Sequence, residues 1–304
     1  MEAANDTASH TALVLSGGGS KGAFQLGALE RLAEAGYRYD CVAGVSVGAL
    51  NGTMVASNRL NRLGTIWRTI ERRDVYRGRW PWVLFNVLRG RKGLYDNTPL
   101  LDLIRREVDP DAIDIPLEVG VVKLESGQYI PVRPSSPRFE ELVFASTTIP
   151  IVWPPREIDR QSFVDGGLRN ITPLADVIDH NPGRIVIITT EPRDKPPAAM
   201  QPDTIIDVAQ RSLAIVLDET FDNDIRSFLR INQLVQQAEA GGVTLRRENG
   251  RAYRFFDHLI IEPDAPLGSG LDFSRAALDA WIAQGRAAAE RALNTRSTGR
   301  PGPV

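Results

Sequence analysis

The order of apolar and amphipathic segments predicts an α/β protein, a three-layer α/β/α sandwich with a mostly parallel central sheet. Three observations carry the prediction. Apolar runs of strand length alternate with amphipathic stretches of helix length. Two glycine-rich turns, GGGSKG at Gly17 to Gly22 and GVSVG at Gly44 to Gly48, each stand between such a run and the stretch that follows it. The third is the run from Arg184 to Thr190, which is apolar on both faces, as a parallel strand covered by helices on each side must be.

Taken in order, a strand is expected over 11–16, a helix over 22–36 stopped by Gly36, a strand over 39–43 and a helix over 46–57. Strand, helix and strand in that order make the two strands parallel. Residues 66–95 break the rhythm by interleaving Trp67, Trp80, Trp82 and Phe85 with Arg68, Arg72, Arg73, Arg77, Arg79, Arg89, Arg91 and Lys92. Strands follow at 117–123 and 128–132, then a helix around 138–146. The stretch from Pro150 to Pro155 holds too many prolines for a central strand. After the buried run at 184–190 comes a helical region over about 203–239, continuous or broken. A last strand near Phe256 to Pro263 precedes a closing helix from Ser274 to about Leu293.

With 304 residues and 42% hydrophobic content, the chain suits one large domain, expected over 11–294, with flexible ends at 1–10 and 295–304. A formal net charge of −2 exerts no general attraction on nucleic acid, so none is expected as a partner. Cys41 is the only cysteine and lies in an apolar run, which excludes an internal disulfide and a thiol pair for zinc. No cluster of His, Cys or carboxylates has ligand spacing, so neither a metal nor another cofactor is expected. The start of the chain lacks a basic flank and an apolar run, and no segment is long enough to cross a bilayer. A cytoplasmic protein is expected.

Ser46 is the candidate nucleophile. A serine between Gly44 and Gly48, on a sharp strand-to-helix turn, is held with its hydroxyl projecting. The earlier turn satisfies GxGxxG at Gly17, Gly19 and Gly22, which also fits a dinucleotide loop, and Asp40 stands at a suitable distance for a ribose-binding acid. That acid, however, would begin the second strand rather than end it, on the wrong edge of the sheet. The loop is no P-loop either, since Lys21 precedes the last glycine and Ala23 occupies the place of the metal-binding hydroxyl. What remains is a row of backbone amides at a helix N-terminus, suited to an oxyanion.

A serine hydroxyl needs a base to act at neutral pH. His10, His180 and His258 are the only histidines, and helix termination accounts for His180. Asp165 is the better candidate, because a short apolar strand delivers its carboxylate into a turn made by Gly166 and Gly167.

GGGSKG, GVSVG and DGG in this order resemble the patatin-like phospholipase family, as does the ASTTIP segment at 145–150, followed by Asn170 and Pro173. The likeness runs from about residue 11 to about 180. It implies a patatin-like fold and a serine esterase acting on acyl esters of lipids. By that resemblance Ser46 is the nucleophile, Asp165 the proton acceptor, and Gly17, Gly18, Gly19 and Gly22 the oxyanion loop. Lys21 stands where arginine is more usual and Val45 where threonine is common, and neither change removes a catalytic part. Two other readings compete. One is an α/β-hydrolase in the order Ser, Asp, His, for which Ser46 comes too early in the chain, after only one strand-helix unit. The other is a non-catalytic lipid-binding scaffold. The mixture of aromatic and basic side chains at residues 72–92 is expected to make peripheral contact with a lipid surface.

Overall fold

Every residue of Thr11–Leu15 is buried, and the alternation along this strand, β1, divides the molecule. Leu13 and Leu15 join the larger of two apolar clusters, and Ala12 and Val14 join the smaller one on the opposite face. The computed structural model describes residues 10–78, 89, 90, 92–195 and 203–297. Of the aromatic and basic segment, Arg79, Trp80, Trp82, Phe85 and Arg91 therefore lie outside the described residues.

Helix α1 (Gly22–Glu34) follows β1, and Gly36, at φ 84°, reverses the chain into strand β2 (Cys41–Val45). Helices α2 (Val47–Ala56), α3 (Leu60–Thr69), α4 (Arg72–Val75) and α5 (Thr98–Glu107) come next. Strands β3 (Leu117–Lys123) and β4 (Gln128–Val132) form a hairpin, and helix α6 (Phe139–Ala145) leads to β5 (Arg156–Ile158) and β6 (Gln161–Asp165). Helix α7 (Leu174–Ile178), strand β7 (Arg184–Ile188), helix α8 (Ile205–Ala240), strand β8 (Asp257–Ile261) and helix α9 (Arg275–Ser297) complete the chain.

The sheet runs β5-β6-β3-β2-β1-β7-β8, with β4 paired to β3 off this path. Its centre is parallel, through the pairs β3–β2, β2–β1, β1–β7 and β7–β8, and the strands beyond β3 are antiparallel to their neighbours. Helices α1, α2, α3, α5, α6 and α9 supply the larger cluster on one face. On the other face, α7 and the middle of α8 cover Ala12, Cys41 and Ala43. Burial pushes the Cys41 thiol up to about 12, so it is an inert part of the core.

Two features depart from the reading of the chain, and a third is resolved by the structure. Strand β2 lies two residues later than expected, and α3 and α5 occupy a stretch in which no helix was predicted, although their apolar residues recur at helical spacing with Arg62, Arg68, Arg105 and Arg106 on the exposed faces. The helical region after 203 is one unbroken helix of 36 residues. It starts where Thr204 accepts from the Asp207 amide and Asp207 accepts from that of Thr204. Close packing of α1 on α9 depends on two helical glycines: a Cβ on Gly27 would lie 1.9 Å from the Ile282 carbonyl oxygen, and one on Gly285 equally close to that of Phe24.

Candidate active site

Ser46 stands between β2 and α2 with φ 57° and ψ −128°, a conformation that costs a non-glycine residue on the order of 1–3 kcal/mol. Two contacts hold it there. Its backbone N–H donates to Ser146 Oγ at 2.9 Å, and that hydroxyl donates to the Gly120 carbonyl at 2.7 Å. Gly48 lets α2 begin directly over the end of β1, since a Cβ there would lie 2.2 Å from the Leu15 carbonyl oxygen.

Strand register brings Asp165 to the same place. Val45, the residue before Ser46, stands opposite Gly120 on β3, and Asp165 at the end of β6 stands opposite the next residue, Val121. Asp165 is 2% exposed. Its Oδ1 accepts from the Gly167 amide at 2.8 Å, and its Oδ2 is buried with no hydrogen-bond partner among the described residues. Loss of hydration pushes the carboxyl up to about 7, with the Gly167 amide and then the Ser46 hydroxyl pulling the other way.

The glycine loop lies beside Ser46, and a Cβ on Gly17 would come within 3.2 Å of Ser46 Cβ. Not all four expected amides are available. The Gly17 N–H donates to the Ile171 carbonyl at 3.1 Å, and that of Gly22 donates back to the Gly19 and Ser20 carbonyls. The amides of Gly18 and Gly19, and that of Val47 next to the serine, carry no hydrogen bond among the described residues. Gly19, at φ 61°, also has no room for a side chain, because a Cβ would lie 2.3 Å from the Gly270 carbonyl oxygen. Lys21 forms an ion pair with Glu191 just beyond β7, which ties the loop to the neighbouring strand end.

Asp40 is at the other edge of the sheet, where its carboxylate accepts from the Thr11 amide at 2.7 Å. It takes no part in the glycine loop, and the dinucleotide reading loses its ribose partner. His180 pairs with Glu118 at 3.4 Å. His258 lies between the Phe256 carbonyl and the Asn232 amide, edge-on to the Phe228 ring. Neither lines the cavity that holds Ser46 and Asp165.

That cavity has a volume of about 1210 Å³. Its lining includes apolar side chains from the helices of the larger core, among them Leu50, Met54, Ile66, Leu100 and Ile104, and charged ones, among them Lys21, Glu191, Arg193, Lys195 and Asp218. Ser46, Asp165, Gly17, Gly18 and Gly19 line the same cavity. Reading the chain missed a buried polar relay behind the glycine loop. Trp67 Nε1 donates to Asn51, Asn51 donates to Gln25, and Gln25 donates to the Ser16 carbonyl at 2.8 Å. An amide side chain among the apolar residues of each of two helices, Gln25 in α1 and Asn51 in α2, was the available signal. The described residues include no group of three or more His, Cys, Asp or Glu that could hold a metal ion, and no helix long and apolar enough to cross a membrane.

An NTE family protein of Mycobacterium tuberculosis is 28% identical over 191 residues, covering 62% of this chain and 51% of that protein. The chain thus spans about half the length of the curated relatives it matches over most of its own. Shorter matches include neuropathy target esterase sws of Drosophila melanogaster, 47% identical over 53 residues, which are 17% of this chain and 4% of that protein. Lysophospholipase nte1 of Aspergillus terreus is 37% identical over 68 residues, 18% of this chain and 4% of that one. The crystal structure of VipD from Legionella pneumophila superposes with a TM-score of 0.48 at 14% identity, covering 94% of this chain and 67% of that one. The family model for patatin-like phospholipases matches residues 13–178, a span that includes the glycine loop, Ser46 and Asp165 and exceeds half of the sequence, and the chain belongs to that family.

Proposed function

We propose that this protein hydrolyses acyl esters of lipids with Ser46 as nucleophile and Asp165 as its base. One observation carries the reading. Ser46, in a strained turn, and a buried carboxylate with one oxygen unpartnered among the described residues line one largely apolar cavity that no histidine lines. An aspartate at its ordinary value near 3.9 would be a poor base, whereas one pushed up to about 7 is matched to neutral pH.

In the proposed sequence, Asp165 takes the Ser46 proton as Oγ attacks the ester carbonyl carbon. The amides of Gly18 and Gly19 stabilise the oxyanion, a task for which free and preorganised donors are suited. As the intermediate collapses, Asp165 returns the proton to the leaving alcohol. Water, deprotonated by Asp165, then attacks the acyl-enzyme, and as that intermediate collapses Asp165 returns the proton to Ser46 Oγ and the fatty acid leaves. Gly44, Gly48, Gly166 and Gly167 shape the turns that carry the two side chains.

The same proposal takes residues 11–294 as one catalytic domain, because β8 pairs with β7 and α9 packs on α1. A lining that combines apolar and charged side chains suits a substrate with an acyl chain and a polar head, and one relative bears the name lysophospholipase. Labelling of Ser46 by a fluorophosphonate, and its loss in Ser46→Ala, tests the assignment. A folded parent that takes up no label would leave a lipid-binding scaffold.

A further inference from the structure

A second cavity, of about 620 Å³, lies behind the DGG turn and shares no residue with the first. Its walls are the outer side of the segment 169–174, the middle of α8 and the chain from Arg247 to Phe256 that leads into β8. Four arginines line it: Arg169, Arg247, Arg251 and Arg254. None of them has an ion-pair partner among the described residues, whereas arginines elsewhere on this molecule commonly do, as at Arg31, Arg62, Arg68, Arg133, Arg193 and Arg286.

Two of the four are held by aromatic faces instead of acids. The Arg254 guanidinium stands 4.6 Å from the centre of the Phe256 ring, and that of Arg247 stands 5.2 Å from that of Tyr253. Stacking fixes a guanidinium in place while leaving its charge uncompensated, and Arg254 also donates from one terminal nitrogen to the Pro182 carbonyl. The carboxylates in the walls are Asp179 and Asp224, and Asp224 is already engaged by the Ile171 and Thr172 amides at 2.9 and 3.0 Å.

Orphaned polar atoms gather here too. The Thr172 hydroxyl, on a residue 1% exposed, and the Nε atoms of Arg247 and Arg254 are buried without a hydrogen-bond partner among the described residues. Such atoms in a native structure ask for an explanation, and a bound polar ligand that draws the surrounding groups together is one.

We propose that this second cavity binds a phosphate monoester group. A dianion with three terminal oxygens matches several guanidinium forks at once, which a single carboxylate does less well. Tyr253 and Phe256 offer apolar surface to the body of the ligand. The group could come from a lipid head or from free phosphate, and glycerol 3-phosphate and inorganic phosphate distinguish these sources.

Isothermal titration calorimetry of the full chain with each compound, in chloride buffer at low ionic strength, tests the site. Saturable binding of at least one compound is expected. The double variant Arg247→Gln, Arg251→Gln should weaken it about tenfold or more, as loss of hydrogen bonds to a charged group implies. The exposed Arg169→Gln, on the opposite wall, should weaken it independently, which keeps the test decisive if the double variant fails to fold. Preference for glycerol 3-phosphate would assign a lipid head group, and equal affinity would assign free phosphate. Absence of saturable binding up to about 5 mM, or unchanged affinity in folded variants, would overturn the proposal.

Discussion

The backbone N–H of Ser46 donates to the hydroxyl of Ser146, 2.9 Å away, a residue one hundred positions later in the chain. Since that hydroxyl also donates to the Gly120 carbonyl, a single side chain straps the strained serine turn to the strand opposite Asp165. The placement of the proposed nucleophile relative to its proposed base thus depends on a side chain that holds the Ser46 backbone and takes no part in the proposed proton transfer.

Removal of the strap in Ser146→Ala orphans a buried amide and a buried carbonyl. It should cost about 1–3 kcal/mol in urea denaturation. It should also lower turnover on the order of tenfold with little change in KM, because it loosens the alignment of reacting groups rather than the cavity. Equal loss through KM alone would show that Ser146 shapes the binding cavity instead.

Ser46→Ala and Asp165→Asn should each abolish hydrolysis of a soluble ester, since they remove halves of one unit. His180→Ala and His258→Ala should stay within a few-fold of the parent, because both rings are engaged away from the cavity. A loss on the order of 10⁴-fold in either histidine variant would point to a triad.

The rate should depend on the ionised form of Asp165. With its carboxyl pushed up to about 7 by burial, kcat/KM should rise about tenfold per pH unit below that value and level off above it. A profile flat between about pH 5 and pH 9 would show that deprotonation of this carboxyl is not required.

The same shift has a consequence for stability, and its sign is opposite to that of a salt-bridged acid. The folded protein holds the proton more tightly than the unfolded chain, in which the carboxyl has its usual value near 3.9. Between these two values the folded state binds more protons, so stability falls as pH rises and the full penalty is present above about 7. Asp165→Asn removes the buried charge. The variant should therefore be inactive yet more stable than the parent at alkaline pH, by roughly 1–4 kcal/mol, with the difference fading toward pH 4. Denaturant melts at the two pH values measure it, and a less stable variant at both would contradict the role of burial.

Gly19→Ala places a methyl group against the Gly270 carbonyl in a backbone conformation that alanine avoids. Turnover should fall roughly 10²-fold or more as the loop amides shift, and the melting temperature should drop by several degrees. Normal kinetics in this variant would remove Gly19 from the set of oxyanion donors.

Much of this arrangement was legible along the chain because its signals are local. Apolar runs of strand length, GGGSKG, GVSVG and DGG each report a backbone requirement within a few residues, and they sufficed for the α/β class, the early strand-helix-strand unit and the candidates Ser46 and Asp165. Helices α3 and α5 were not read along the chain although Leu63 and Trp67, and Leu100, Leu101 and Ile104, recur at helical spacing, because the arginines of their exposed faces masked that period in a linear reading. Nor could local pattern show that Gly17 and Gly22 spend their amides on internal bonds while Gly18 and Gly19 do not, since one acceptor, the Ile171 carbonyl, is more than 150 residues away. The protonation of Asp165 belongs to the same class. Its sequence neighbours are glycines, and only the packing of β3, β6 and the glycine loop around it removes the water that would keep its carboxyl near 3.9. By itself, the sequence determined which residues could do chemistry. Tertiary structure decided how strongly each could do it, because hydration, register and competition for hydrogen bonds are set by partners distant in the chain.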